Sequence, residues 1–156
     1  MNARDIVKNL KGRFGGRVKD VFEKSKKRVY LTIEPKDIKE IAVYIFRDMG
    51  LRFNIASAVD SFDCFEILYH FADDSSGIVL SVRTFLNDKK APRVDSLTPF
   101  LKCADWIERE IHELFGIEFD GHPNMRPLLL SDDWPKGSYP LRKDFKVEKR
   151  DDRVTT

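Results

Sequence analysis

The sequence predicts an α+β fold in which helices cover one face of a mixed or antiparallel sheet, followed by an extended, proline-rich C-terminal arm. Three segments place apolar residues at helical spacing, and five shorter segments alternate apolar and polar residues between turn signals. Beyond residue 120 prolines become frequent, and proline removes backbone donors that helices and sheets need. We therefore assign the α+β domain to residues 1–120 and the arm to residues 121–156.

The first predicted elements are a helix and a β-hairpin. Asn2 is a suitable N-cap for a helix that would end at Gly15, after apolar residues at helical spacing. Two strand-like segments, 18–23 and 28–33, follow and are joined by a short polar turn. The basic residues 24–28 lie at this turn without interleaved aromatic side chains. We interpret them as a solvated turn rather than a nucleic-acid site.

A second helix and a meander of three strands come next. Pro35 suits the first turn of this helix, and Gly50 suits its C-terminal end. The strand segments are 53–61, 62–72 and 77–86, and a turn rich in Asp, Ser and Gly joins the last two. The middle segment has apolar residues on both faces, so one face can lie against a helix.

The third predicted helix carries a segment that suggests an active site, EREIHELFGIEFDGHP. We expect a helix start near Thr98, a restart at Asp105 with Glu108 in a capping-box-like pair, and an end at Gly116. The apolar residues of this helix share one face and leave its charged residues on another. The charged face raises the question of whether this segment performs chemistry or holds part of the protein in place.

A catalytic or metal-binding role for this segment has little support in its spacing. HELFG begins like the zinc-protease motif H-E-x-x-H, but Gly116 stands at the place of the second histidine. His112 and His122 could still bind a metal with a nearby carboxylate, although ten positions separate them. A metal-dependent enzyme that uses these two histidines is the alternative to a structural role.

The proline-rich arm is too apolar for a solvated tail. Its residues 121–145 contain four prolines and eight large apolar residues, and that much apolar surface needs a surface to cover it. Large aromatic residues beside arginines are typical anchors of protein interfaces. The arm therefore either wraps over its own domain or lies across a partner protein, and we prefer the partner.

Composition excludes several functional classes. The chain has 156 residues and a net charge of +2, so one domain with a real core is possible and no nucleic-acid partner is required. No apolar run approaches the roughly 18 residues of a membrane span, and no signal peptide is recognisable, so we expect a soluble, cytoplasmic chain. Cys64 and Cys103 are isolated, and no iron–sulfur or nucleotide motif occurs.

The stretch from Glu108 to Phe145 closely resembles the signature of the 30-kDa subunit, also named the C subunit, of respiratory complex I, NADH:quinone oxidoreductase. The matching elements are E-R-E at the helix start, L-F-G-I at its end, G-H-P, R-x-L-L-L, D-D-W and P-L-R-K-D-F. The combination is specific and covers about a quarter of the chain. The same family includes subunits of membrane-bound, energy-converting nickel–iron (NiFe) hydrogenases and related complexes.

The resemblance implies a non-catalytic scaffold in the cytoplasmic arm of a membrane-bound oxidoreductase, with no activity or cofactor of its own. Iron–sulfur clusters, and possibly a NiFe centre, would reside in the partner subunits. These partners would be the large (49-kDa-type) subunit and the iron–sulfur subunits, and contact with the membrane arm would be indirect. The chain would be peripheral on the cytoplasmic side of the cell membrane. By this resemblance, the residues that dock on the large subunit are Glu108, Arg109, Glu110, His122, Pro123, Arg126, Trp134, Leu141, Arg142, Lys143, Asp144 and Phe145.

Departures from the complex I pattern favour a hydrogenase-type or ferredoxin-linked complex. The segment DWPKGSYPLRKDF has extra residues between Trp134 and Pro140 compared with the compact W-x-G-x-P-L-R-K-D-F of complex I. The chain is also short, contains no Gln and is 35% charged, a composition that leans toward proteins of high-temperature organisms. The C subunit of an NADH:quinone oxidoreductase proper is the alternative within the family.

Overall fold

The computed structural model describes residues 2–146, which form three α-helices and seven strands. The helices are α1 (Ala3–Phe14), α2 (Ile38–Arg47) and α3 (Asp105–Phe115). The strands are β1 (Lys19–Ser25), β2 (Arg28–Thr32), β3 (Arg52–Asp60), β4 (Phe65–Asp73), β5 (Ile78–Leu86), β6 (Arg93–Asp95) and β7 (Glu118–Asp120). Short 3-10 turns occupy Gly15–Arg17, Pro35–Asp37 and Lys102–Ala104.

The main sheet is mixed and has the strand order β1-β2-β5-β4-β3. Its neighbours are antiparallel except for β2 and β5, which run parallel. The predicted hairpin is therefore β1–β2 and the predicted meander is β3–β4–β5. A smaller parallel pair is formed by β6, which precedes α3 in the sequence, and β7, which follows it.

The core lies between one face of this sheet and the helices, as the sequence predicts. Residues 65, 67, 69 and 71 of β4 point to the same face and are buried, whereas the residues between them are half-exposed. The ring of Phe65 meets that of Phe115 on α3 edge-on, with 6.2 Å between centroids. The predicted α+β class with helices on one face of a mixed sheet is thus confirmed.

The helix ends follow local sequence signals at α1 and α2. The Asn2 side chain accepts a hydrogen bond from the amide of Asp5 at 2.9 Å, and the Asp5 carboxylate accepts one from the amide of Asn2 at 3.1 Å. This capping box confirms the predicted start of α1. A 3-10 turn that begins at Pro35 leads into α2, which ends at Arg47, before Gly50.

The predicted start of α3 was wrong in two respects. Thr98 lies in a turn, and the helix begins at Asp105 with Ala104 as an N-cap that makes no side-chain capping bond. The capping-box-like pair of Asp105 and Glu108 does not form, because the Glu108 carboxylate binds the loop that precedes the helix. The predicted end is correct: Gly116 has a φ of 70°, the left-handed conformation common after helices.

After β7, residues 121–146 contain neither helix nor strand. The remainder of the predicted arm, 147–156, lies outside the described residues. Among residues 2–146, none of the helices combines the length and hydropathy that a membrane span requires.

Candidate functional site

Glu108 fastens α3 to the loop that follows β6. Its carboxylate accepts hydrogen bonds from the Ser96 hydroxyl at 2.5 Å, the Leu97 amide at 2.6 Å and the Thr98 hydroxyl at 2.8 Å. The side chain is almost completely buried. Burial raises the pKa of the Glu108 carboxyl above its usual value, although the three donors oppose that rise. Glu108 thus joins α3 to another segment of the same chain.

Arg109, the next residue on α3, holds the beginning of the arm. Its Nε donates to the carbonyl oxygen of Arg126 at 2.9 Å, and its Nη2 donates to that of Pro127 at 2.8 Å. The guanidinium lies 3.6 Å from the Asp105 carboxylate and is buried. The planar guanidinium can direct two parallel donors at neighbouring carbonyls. It therefore fixes the path of the arm at a point where proline excludes regular structure.

Glu113, one turn further along α3, binds the next residues of the arm. Its carboxylate accepts hydrogen bonds from three successive amides, those of Leu128 at 3.2 Å, Leu129 at 2.8 Å and Leu130 at 3.0 Å. A carboxylate suits this task because it offers about four acceptor sites and no donor. Arg109 and Glu113, four residues apart on the helix, thus bind the carbonyls and amides of one continuous stretch of arm.

The C-terminal end of α3 receives the second half of the arm. Arg142 Nε donates to the carbonyl oxygen of Phe115 at 2.5 Å, and the Leu141 amide donates to that of Leu114 at 3.1 Å. Because carbonyls in the last turn of a helix lack intrahelical partners, they need such donors. The Arg142 guanidinium also lies over the ring of Tyr139, 4.6 Å from its centroid.

The last anchor of the arm is Asp60, at the end of β3. Its buried carboxylate accepts the Lys143 amide at 2.8 Å and forms an ion pair with Lys89. Burial alone would raise the pKa of the Asp60 carboxyl, but the Lys143 amide and the Lys89 ammonium outweigh it and lower the pKa below its usual value. Within the arm itself, the rings of Trp134 and Phe145 stack with 6.1 Å between their centroids.

The two histidines serve different parts of the fold. His112 Nδ1 lies 3.0 Å from the carbonyl oxygen of Ile117. His122 Nδ1 accepts the Asn124 amide at 3.1 Å, and its Nε2 lies 3.4 Å from the carbonyl oxygen of Asp105. Among residues 2–146, no three His, Cys, Asp or Glu side chains are arranged to hold a metal ion. The contacts that the charged face of α3 does make hold the arm, through Arg109 and Glu113.

The structure divides the residues of the predicted docking surface into two groups. Glu108 and Arg109 are buried and bind other parts of this chain, and Arg142 and His122 also direct polar atoms at its backbone. The second group keeps exposed or half-exposed side chains on the described surface and stays a prediction for docking: Glu110, Pro123, Arg126, Trp134, Leu141, Lys143, Asp144 and Phe145.

Sequence reasoning missed several residues of this arrangement. Glu113 is absent from the predicted docking residues, although it binds the arm as Arg109 does. Asp60 at the end of β3 gave no sequence signal, because its partner Lys143 is 83 positions away.

Comparison with known proteins agrees with the resemblance of the arm sequence. Residues 31–151 match the family model described as respiratory-chain NADH dehydrogenase, 30 Kd subunit. The chain belongs to this family. It is similar to the NADH-quinone oxidoreductase C subunit of Chloroherpeton thalassium, with 35% identity over 145 residues that cover 89% of this chain and 59% of the relative. It therefore spans less than two thirds of that relative.

Two further similarities cover nearly whole chains. The F(420)H(2) dehydrogenase C subunit of Methanosarcina mazei is 32% identical over 150 residues, which cover 93% of this chain and 92% of the relative. Among solved structures, a chain of the membrane-bound sulfane sulfur reductase, an archaeal respiratory membrane complex, superposes with a TM-score of 0.78 and 23% identity. That superposition covers 92% of this chain and 85% of the other and shows that the two share a fold.

Proposed function

We propose that this chain is a non-catalytic scaffold in the peripheral arm of a membrane-bound, complex I-like oxidoreductase, where it docks on the large catalytic-type subunit. Its family and the names of its relatives, which are subunits of oxidoreductases, support a place in such a complex. The observation that carries the docking role is the arm of residues 121–146. It has no helix or strand of its own, yet it is anchored along α3 and at Asp60.

The arm is anchored mainly through its backbone, which leaves many of its side chains facing outward. Leu129 donates its amide to Glu113 while its side chain is 60% exposed, and Leu141 donates its amide to Leu114 while it is 52% exposed. Exposed leucines on a fixed, irregular segment are typical of a surface that another protein covers. A scaffold of this kind presents a preformed surface to its partner. Because the arm is already ordered, less conformational entropy is lost on association.

The identity of the complex is a finer part of the proposal. We favour a hydrogenase-type or ferredoxin-linked complex, with iron–sulfur clusters and possibly a NiFe centre in the partner subunits. The near-complete overlap with a subunit of an F(420)H(2) dehydrogenase supports a complex whose electron donor is not NADH. An NADH:quinone oxidoreductase proper is the alternative, since relatives with that name are equally similar in sequence. In either complex the chain would be peripheral, on the cytoplasmic side of the membrane.

Affinity purification of the tagged chain from solubilised native membranes, followed by mass spectrometry and metal analysis, tests this proposal. We expect recovery with a large catalytic-type subunit, iron–sulfur proteins and membrane subunits. Nickel in the eluate would select the hydrogenase branch, and an NADH-binding subunit would select the alternative. Recovery of the chain without any other subunit, from membranes whose other complexes stay intact on solubilisation, would contradict the scaffold role.

A pair of matched variants assigns docking to the arm. Leu129→Asp places a charge on the outer surface of the arm, and Phe22→Asp places one on β1, where Phe22 is also 60% exposed. Both substitutions should leave the folded chain intact, since neither residue is buried. We expect Leu129→Asp to reduce recovery of the large subunit about tenfold, which corresponds to ~1.4 kcal/mol of binding free energy, and Phe22→Asp to leave it unchanged. Equal recovery with both variants would show that the arm is not the docking surface.

A further inference from the structure

The outer edge of β3 is a strand edge without a partner in the described part of the chain. β3 is the last strand of the main sheet and pairs only with β4. No other backbone–backbone hydrogen bond involves residues 52–60 within residues 2–146. In an antiparallel ladder, alternate residues of such a strand direct their N–H and C=O groups away from the sheet. The edge thus offers a row of donors and acceptors to another extended segment.

The two edges of the same sheet differ in how they are protected. β1, at the opposite edge, has four charged residues among seven and two register irregularities, and Asp20 within it has a φ of 44°. Charges and bulges are the usual means by which an edge strand avoids pairing. β3 has charged residues only at its two ends, one irregularity, and no proline or lysine. Its Ile55 and Val59 are 48% and 46% exposed.

An apolar groove lies beside this edge, between β3 and α3. On the strand side it is lined by Ala56 and Ala58, whose small side chains leave space. On the other side it is lined by α3 and the arm, through Ile107, Ile111, Leu114 and Leu141. Glu110 of α3 contributes the one charged side chain among the residues that line the groove. Its carboxylate makes no hydrogen bond or ion pair to any residue in the range 2–146.

We propose that an extended segment of another subunit adds to β3 as a sixth strand of the main sheet. Alternate apolar side chains of that segment fill the groove beside α3, and a lysine or arginine within it pairs with Glu110. This inference rests on the proposed function, because it assigns a second contact within the same assembly. An added strand gains affinity from main-chain hydrogen bonds and specificity from pockets for alternate side chains.

The chemistry of the groove disfavours two other occupants. A second copy of this chain would place β3 against β3, and the only cation of that strand, Arg52, lies at its end. The segment 147–156 of the same chain has six charged residues among ten and no alternating apolar residues. A segment of a different subunit is the occupant that satisfies both the apolar lining and the carboxylate.

The test is a photo-crosslink from the centre of β3. A photoreactive phenylalanine analogue replaces Ser57, which is exposed, and the complex is purified through this chain and irradiated. We expect mass spectrometry to map the crosslink to one short segment of another subunit, with alternating apolar residues and a lysine or arginine. Crosslinks to a second copy or to residues 147–156 would overturn the inference, as would no crosslink while other subunits are recovered. If this chain is recovered without any other subunit, the proposed function itself fails.

A charge reversal tests the pairing with Glu110 separately. We expect Glu110→Lys to lower the yield of the crosslink from position 57 about tenfold. In the Glu110→Lys variant, replacement of the basic residue of the crosslinked segment by Glu should restore the crosslink yield. Phe22→Lys on β1 is the control and should leave the yield unchanged. The melting temperature of each variant alone should match that of the parent, since both positions lie outside the core. An unchanged yield with Glu110→Lys would contradict the assigned ion pair.

Discussion

Gly116, at the end of α3, lies directly against Tyr139 of the arm. A β-carbon at Gly116 would clash with Cζ of the Tyr139 ring and would approach Nη2 of Arg142 to 2.8 Å. Gly116 also has a φ of 70°, in the left-handed region that side chains disfavour. Both features require glycine, and together they let the arm fold over the end of the helix.

Substitution of Gly116 by alanine should therefore loosen the arm. Gly50→Ala is the matched control, because Gly50 has a φ of 71° and open space around its Cα. We expect both variants to lose about 1–2 kcal/mol of stability in urea unfolding from backbone strain. Only Gly116→Ala should also be cleaved faster by trypsin within residues 136–143, since Tyr139 and Arg142 must move. Equal cleavage of the two variants would contradict the role of this contact.

Glu113→Ala should release a different part of the arm. The variant removes the acceptor of three amides, those of residues 128–130. Hydrogen bonds to a charged acceptor contribute about 1.5–3 kcal/mol each, so we expect hydrogen exchange at these amides to accelerate at least tenfold. Glu110→Ala, one turn earlier on α3, is the control and should leave this exchange unchanged. Unaltered protection in Glu113→Ala would show that the arm is held by other contacts.

The sequence predicts those parts of the fold that depend on local signals. The Asn2 N-cap, the β1–β2 hairpin and the β3–β4–β5 meander all connect residues close in sequence, and each was predicted. The parallel pairing of β2 with β5 joins strands separated by α2, β3 and β4. Such a pairing follows from packing of the whole domain, so periodicity of single segments leaves it open between a mixed and an antiparallel sheet.

The site was predictable as a segment but not as a set of contacts. The spacing of Arg109 and Glu113 fits an i, i+4 pair on the helix, yet each binds backbone atoms of the arm 15 to 18 positions away. Backbone acceptors and donors are common to all residues and therefore leave no mark in the sequence. Prolines and apolar residues in the sequence identified the arm, the family resemblance assigned docking residues to it, and only the structure shows that its anchors lie within the chain.

Burial of Glu108 makes one part of the stability depend on pH. Its folded-state pKa is raised above 4.5, so the folded state retains the proton to a higher pH than the unfolded chain. The stability linked to that proton is complete below pH 4.5 and is lost as the pH rises through the folded pKa. Relative to Glu108→Gln, which has no charge to bury, the parent protein should become less stable as the pH rises above 4.5.

Urea unfolding of the parent and Glu108→Gln across this pH range measures the difference. Glu108→Ala is the companion variant and should lose about 1–3 kcal/mol at every pH, because buried donors of Ser96, Leu97 and Thr98 lose their acceptor. A difference between the parent and Glu108→Gln that is independent of pH would contradict the raised pKa.

Asp60 should show the opposite dependence on pH. Its folded-state pKa lies below 3.8, so its ionised form stabilises the folded protein above pH 3.8, and this contribution is lost as the pH falls through the folded pKa. Asp60→Asn should lower the free energy of unfolding by about 1–3 kcal/mol at neutral pH and by progressively less in acid.

The control is Asp74→Asn, which breaks an exposed pair with Arg52 and should lower the free energy of unfolding by at most about 1 kcal/mol. Because Asp60 also accepts a hydrogen bond from the Lys143 amide, Asp60→Asn should accelerate hydrogen exchange at that amide, whereas Asp74→Asn should not. An equal loss at neutral and acidic pH would show that the Asp60 charge does not anchor the arm.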